Sequence, residues 1–183
     1  EKVAFMVRHT TGILCVAMTQ DRARELRLPL MVEENQDSKK TAFTVSVDYK
    51  VGITTGVSAT ERANTVRALA DNSAVHSDFI RPGHVFPLIA DNGGLQARGG
   101  HTEAGVALSQ LVGAPALCLL SEIVTEDGSM ARGQSLMDFA AKNAIPVISV
   151  EELKAVAPVV PAVTSTFEFA WAELPLRTGI WKI

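Results

Sequence analysis

The chain has 183 residues, the size of one domain and long enough to bury a substantial core. Apolar residues make up 47% and charged residues 20%, which excludes a disordered polymer. A formal net charge of −3 argues against an extended nucleic-acid surface, yet leaves room for a local anion site.

Taken in chain order, "EKVAFMVRH" opens as a helix, with Val3, Ala4, Phe5 and Val7 on one broad apolar face. No capping residue precedes it, and the expectation is that residues upstream are missing. "TGILCVAMT" reads as a buried strand and "QDRARELRL" as a short charged helix capped by Thr19. "KKTAFTVSVD" alternates, with Phe43, Val45 and Val47 on one face and Thr44, Ser46 and Asp48 on the other. That pattern predicts a half-exposed strand with its hydroxyl-bearing side in water.

Ser58 followed by Glu61 is a capping-box signature for a helix over "RANTVRALAD". "RPGHVFPLIA" reads as a turn and then a short strand, "DNGG" as a tight turn, and Gly99-Gly100 as a loop that opens a helix. Next come a strand over "PALCLLSEIV", a turn at "TEDGS" and a helix over "GQSLMDFAAKN". A strand over "IPVISV" and a helix over "EELKAV", capped by Ser149 and Glu152, complete this part. The mixture lacks a regular βαβ beat, so an α+β fold, a layered mixed sheet with flanking helices, is expected. From residue 158 the texture changes to a linker and then a strand-like "LPLRTGIWKI". The predicted division is therefore residues 1–157 and 158–183.

No apolar run is long enough to span a membrane, and the start does not read as a signal peptide. Cys15 and Cys118 each sit inside an apolar run and read as buried, reduced thiols of a cytoplasmic protein.

Polar chemistry concentrates in "ARGGHTEA". Glycines before a helix let its backbone N–H groups approach a ligand, and the helix N-terminus favours anions. Arg98 supplies a forked cation suited to phosphate, Thr102 can cap the helix and still face the ligand, and His101 suits a metal or a proton. Gly-Gly-His-Thr by itself reads as an ordinary turn; Arg98 tips the segment toward a phosphate site. His84, after a Pro-Gly turn, reads equally as a reactive group at an element end or as a histidine closing the turn. Glu122 interrupts an apolar strand, where an unpaired carboxylate is costly, and is read as a site residue in preference to a strand-end group in water.

The segments "RHTTGILCVAM", "TAFTVSVD", "GITTGVSATERANTVRALAD", "DFIRPGHVFPLIADNGGLQARGGHTEAGVALSQLVG" and "SEIVTEDGSMAR" together resemble the 3,4-dihydroxy-2-butanone 4-phosphate synthase family of riboflavin biosynthesis. The resemblance runs colinearly from residue 1 to about 155. It implies a homodimer with active sites at the subunit interface, and a lyase that uses Mg2+ or Mn2+. Such an enzyme converts D-ribulose 5-phosphate to L-3,4-dihydroxy-2-butanone 4-phosphate plus formate by enolisation, skeletal rearrangement and loss of C4. By position it implies substrate contacts at Arg98, Gly99, Gly100, His101, Thr102 and Glu122, a metal ligand at His101, and catalytic roles for His84 and Glu122. A divalent cation on the substrate oxygens would stabilise the enediolate, and a histidine and a glutamate would move the protons.

Members of the family also carry an acidic loop of Asp-Arg-Glu-x-Glu-x-Asp type before the first helix, and these 183 residues contain none. The alternative reading is accordingly a truncated or degenerate, non-catalytic relative that keeps the fold, the dimer surface and a phosphate site. Another sugar-phosphate enzyme working through an enediolate is a third. "AWAELPLRTGIWKI" resembles the opening strand of a GTP cyclohydrolase II domain, of which only that first element is present, so no cyclohydrolase activity is expected.

Overall fold

A computed structural model of the chain describes residues 1–157, 173–176 and 179–182. Its elements are α1 (Lys2–His9), β1 (Cys15–Met18), α2 (Gln20–Glu25), β2 (Val47–Tyr49), α3 (Ala59–Ala70), β3 (Phe79–Ile89), α4 (Gly94–Ala97), α5 (His101–Leu111), β4 (Leu117–Leu120), α6 (Gly133–Lys142) and α7 (Val150–Val156). β5 (Glu173–Leu176) and β6 (Gly179–Lys182) form a separate antiparallel pair. The linker expected after residue 157 lies outside the described residues.

Four strands form one sheet in the order β2-β3-β1-β4. β1 runs parallel to β3, while β4 runs antiparallel to β1 and β2 antiparallel to β3. This is the expected α+β arrangement on a mixed sheet. β1 is central, and its side chains alternate between two cores, as the period of a strand requires. Val16 and Met18 enter a cluster with Ala23 and Leu26 around α2 and with Ala68 and Leu69 of α3. Ala17 faces the other way, onto Val106 of α5. Beyond α5, Ala104 and Ala107 pack on Leu153 of α7. Helices thus cover both faces of the sheet.

The capping residues read from the sequence act as expected. The Thr19 hydroxyl accepts from the Arg22 N–H at the start of α2, and Ser58–Glu61 and Ser149–Glu152 form complete capping boxes on α3 and α7. Three elements differ. Residues 145–149 form no strand: Ile145, Val147 and Ile148 stay 37–53% exposed, because no sheet edge among the described residues pairs with them. The Arg-Pro-Gly-His segment is not a turn before a strand; it lies inside the 11-residue β3. Between Val47 and Asp48 the β2–β3 register jumps from Val85 to Ile80, so residues 81–84 are an insertion bulging from the strand. The third concerns "TAFTVSVD", whose polar side is buried, not in water: Thr44, Ser46 and Asp48 are each less than a tenth exposed. No helix among the described residues is long and apolar enough to cross a membrane.

Candidate active site

The buried polar face of residues 44–48 has a reason in the bulge beside it. A buried polar group needs a partner. The Thr44 hydroxyl donates to the Pro87 carbonyl, the Ser46 hydroxyl accepts the Gly83 N–H at 3.1 Å, and Asp48 holds His84 at two points. Asp48 Oδ1 accepts the His84 backbone N–H at 2.9 Å, and Oδ2 lies 2.6 Å from Nδ1. The Asp48 side chain is 4% exposed and the His84 ring 45%. A buried carboxylate on Nδ1 holds the proton there and leaves Nε2 of the half-exposed ring as a proton acceptor. Gly56, in the left-handed region at φ +79°, closes the arrangement: a Cβ there would lie 2.1 Å from Asp48 Oδ2 and 2.8 Å from His84 Nδ1. The sequence singled out His84; Asp48 was read as an exposed strand residue. The signal that identifies it is a carboxylate on the polar side of an alternating strand whose neighbour is interrupted by Pro-Gly-His.

The second cluster lies where α4 meets α5. Arg98 donates through Nη1 to Glu103 Oε2 at 2.6 Å and through Nη2 to the Lys39 carbonyl at 3.1 Å. Glu103 is 1% exposed, and its other oxygen accepts the Asp91 N–H at 2.9 Å. Part of the Arg98 fork is therefore already used, and Glu103, within the motif but unassigned in the sequence reading, fixes its direction. Gly100 permits the approach, since a Cβ there would fall 2.4 Å from Arg98 Nη1.

Thr102 does not cap α5. It lies inside the helix and is buried, and the N-cap is Gly100, with no side-chain hydrogen bond. The first N–H groups of α5 have no intrahelical acceptor and no capping side chain among the described residues, which suits them to an anion. Gly99 and His101 are exposed at the same place.

Glu122 lies past the end of β4 and is exposed, so it does not interrupt a buried strand as expected. Its carbonyl accepts the Thr11 N–H at 2.9 Å. The two thiols are free and half-buried, not fully enclosed. Burial first, and the Glu122 carboxylate second, push the Cys15 thiol up to about 11, and burial also raises Cys118. Two units above its ordinary value mean about a hundredfold less thiolate below that range. Alkylation of Cys15 by iodoacetamide at pH 8 is thus expected to run about a hundredfold slower in the folded chain than in urea. Equal rates would place the thiol in open water.

Register shows which of these groups share an end of the sheet. Cys15 pairs with Phe86 on one side and with Leu120 on the other. His84 and Glu122, each two residues further, lie at the same end, with their backbones two strand spacings or about 10 Å apart. Arg98 lies at the opposite end, since its partner Glu103 binds the Asp91 amide just beyond β3. The strand from His84 to Asp91 spans about 20 Å. One copy of the chain therefore does not bring Arg98–Thr102 and His84 onto one small substrate. A surface cavity of about 300 Å³ near Tyr49, Arg67 and Asp78 contains none of the candidate residues.

Among the described residues no group of three or more His, Cys, Asp or Glu side chains could hold a metal ion. His101 is at most one ligand, and a hard cation such as Mg2+ needs several oxygen donors. The described residues do not fit a complete metal site.

The family model for 3,4-dihydroxy-2-butanone 4-phosphate synthase matches residues 1–156. Riboflavin biosynthesis protein RibBA of Chlamydia muridarum is 50% identical over 153 residues, covering 84% of this chain and 36% of that protein. The chain thus spans about a third of that relative. The 3,4-dihydroxy-2-butanone 4-phosphate synthase of Proteus mirabilis is 47% identical over 155 residues, 85% of this chain and 71% of that one. A RibBA of Endomicrobium trichonymphae aligns over all 183 residues at 43% identity, 45% of its own length. A crystal structure of a 3,4-dihydroxy-2-butanone 4-phosphate synthase in complex with two magnesium ions superposes with a TM-score of 0.80 at 44% identity, covering 84% of this chain and 77% of that one. On sequence and fold together, the chain belongs to the 3,4-dihydroxy-2-butanone 4-phosphate synthase family.

Proposed function

We propose that this chain converts D-ribulose 5-phosphate to L-3,4-dihydroxy-2-butanone 4-phosphate and formate, a step of riboflavin biosynthesis. The observation that carries the reading is the Asp48–His84 pair: a buried carboxylate orients a half-exposed imidazole through Nδ1 and leaves its other nitrogen unprotonated. His84 Nε2 takes a proton from the carbon next to the ketone, the enediolate forms, and Asp48 steadies the imidazolium. Glu122 is the second group for proton transfer during the rearrangement. C4 departs as formate and the other four carbons keep the phosphate, so the atoms balance. Arg98, Gly99, Gly100, Thr102 and the open N-terminus of α5 hold that phosphate, with His101 beside it.

The working unit in this reading is a homodimer. The strand length of about 20 Å between the phosphate end and the His84 end favours a site shared by two copies, the phosphate end of one meeting the His84 end of the other. Mg2+ or Mn2+ accompanies the reaction, with His101 as the candidate ligand among the described residues. The partners are a sugar phosphate and a second copy, without nucleic acid or membrane, in the cytoplasm. Residues 158–183 are read as a linker and the first strand of a GTP cyclohydrolase II-like domain.

The test is formate release from ribulose 5-phosphate with Mg2+, alongside the intact mass and the oligomeric state. One formate per ribulose 5-phosphate, abolished by EDTA, is the expected result. A folded dimer that binds phosphate and releases no formate would move the assignment to the non-catalytic relative. His101→Ala is expected to remove metal-dependent turnover, with Mn2+ binding followed by electron paramagnetic resonance as the second readout. Unchanged binding and turnover would take His101 out of the ligand set.

A further inference from the structure

Arg62, in the first turns of α3, is only 9% exposed, and none of the ion pairs among the described residues includes it. Its Nε has no hydrogen-bond partner among the described residues, and its Nη1 donates to the Gly12 carbonyl at 3.1 Å. A buried cation without a counter-charge is costly, so a neutral side chain would serve better if packing were its only task.

What it grips is a loop fastened to the Glu122 segment. Thr11 N–H donates to the Glu122 carbonyl, Thr10 bridges to Ile123, and the Ser121 hydroxyl reaches the Thr10 hydroxyl at 2.7 Å and the Ile13 carbonyl at 2.8 Å. The preceding residue of α3 works toward the other catalytic candidate. Glu61 completes the capping box with Ser58 and also takes the Thr54 N–H and hydroxyl, at 2.5 and 2.9 Å. That closes the loop whose Gly56 abuts Asp48 and His84. These hydrogen bonds hold the Glu61 carboxyl down at about 2, so it remains an anionic acceptor at neutral pH.

We infer that the start of α3 is a brace setting the spacing of the two proton-transfer groups: Arg62 positions Glu122 through Gly12 and Thr11, and Glu61 positions His84 through the Thr54–Gly56 loop. Arg62 is a positioning residue, and this role rests on the proposed function for its kinetic consequence. Two adjacent helical residues, one cationic and one anionic, fix loops on two sides of one helix end, so a shift of α3 moves both groups together.

The experiment follows Arg62→Met by amide hydrogen exchange and by formate release. The Thr11 amide is expected to exchange at least tenfold faster, while the Phe86 amide, bonded to the Leu14 carbonyl in the sheet, keeps its protection. kcat is expected to fall about tenfold with KM changed less than twofold, because the phosphate contacts are at the other end of the sheet. Unchanged Thr11 exchange in the folded variant, or a loss confined to KM, would overturn the brace. Should Arg62→Met fail to fold, Arg62→Lys keeps the charge, and the same two readouts shift several-fold in the same directions; parent values for both would count against the brace. Exchange does not depend on turnover. A parent that releases no formate sinks the proposed function while Thr11 still decides whether Arg62 holds the loop.

Discussion

Replacing His84 by alanine is expected to cut formate release by about a thousandfold, the middle of the range for a positioned acid–base group. The thermal midpoint should change little, because the ring is nearly half exposed and the bulge keeps the Ser46 and Asp48 bonds to the Gly83 and His84 backbone amides. Asp48→Asn separates orientation from bulk. An asparagine can still accept the His84 backbone N–H through its carbonyl, but its amide would donate to Nδ1 and drive the ring proton to Nε2, where the base must be empty. That variant is expected to stay folded and lose about a hundredfold or more in kcat with KM nearly unchanged. Parent turnover in His84→Ala would remove the ring from the chemistry. An inactive His84→Ala beside an active Asp48→Asn would reduce Asp48 to a support for the bulge.

Asp48 also illustrates where sequence reading stops. Its strand alternates cleanly, and a polar side alternating with an apolar one ordinarily means water on that side. Here the facing element is the Arg-Pro-Gly-His insertion, whose backbone amides need acceptors, so the polar side was drawn inward. Alternation reports that two sides differ; it does not report what covers each. The capping boxes at Ser58 and Ser149 were legible because every group involved lies within four residues. The same locality put Arg98 beside the start of α5, as the motif suggested, and made Thr102 look like a cap that the geometry gives to Gly100. The placing of Glu122 inside a buried strand was wrong because the end of β4 is set by its pairing with β1, about 100 residues away in the chain, and not by its own apolar run. Residues 145–149 failed in the opposite sense: β propensity without a partner edge leaves an extended segment and no strand.

The Arg98–Glu103 pair carries two roles that mutation can separate. Arg98→Met strands a carboxylate that is 1% exposed, leaving it the Asp91 amide as its one remaining donor among the described residues, and is expected to cost about 3 kcal/mol of stability. The same change removes the planar fork from the proposed phosphate site and should raise KM for ribulose 5-phosphate by tenfold or more, since charge-assisted bonds of this kind contribute about 1.5–3 kcal/mol each. Adding Glu103→Leu removes the stranded charge and replaces it with apolar volume, which often recovers the loss from a broken buried pair. The double variant is therefore expected to regain most of the parent's denaturant midpoint while its KM stays as high as in Arg98→Met. Recovery of both together would show that Arg98 serves the fold alone, leaving phosphate to the N–H groups of α5. Divergence of the two means that the buried glutamate aims a cation whose remaining donors belong to the substrate.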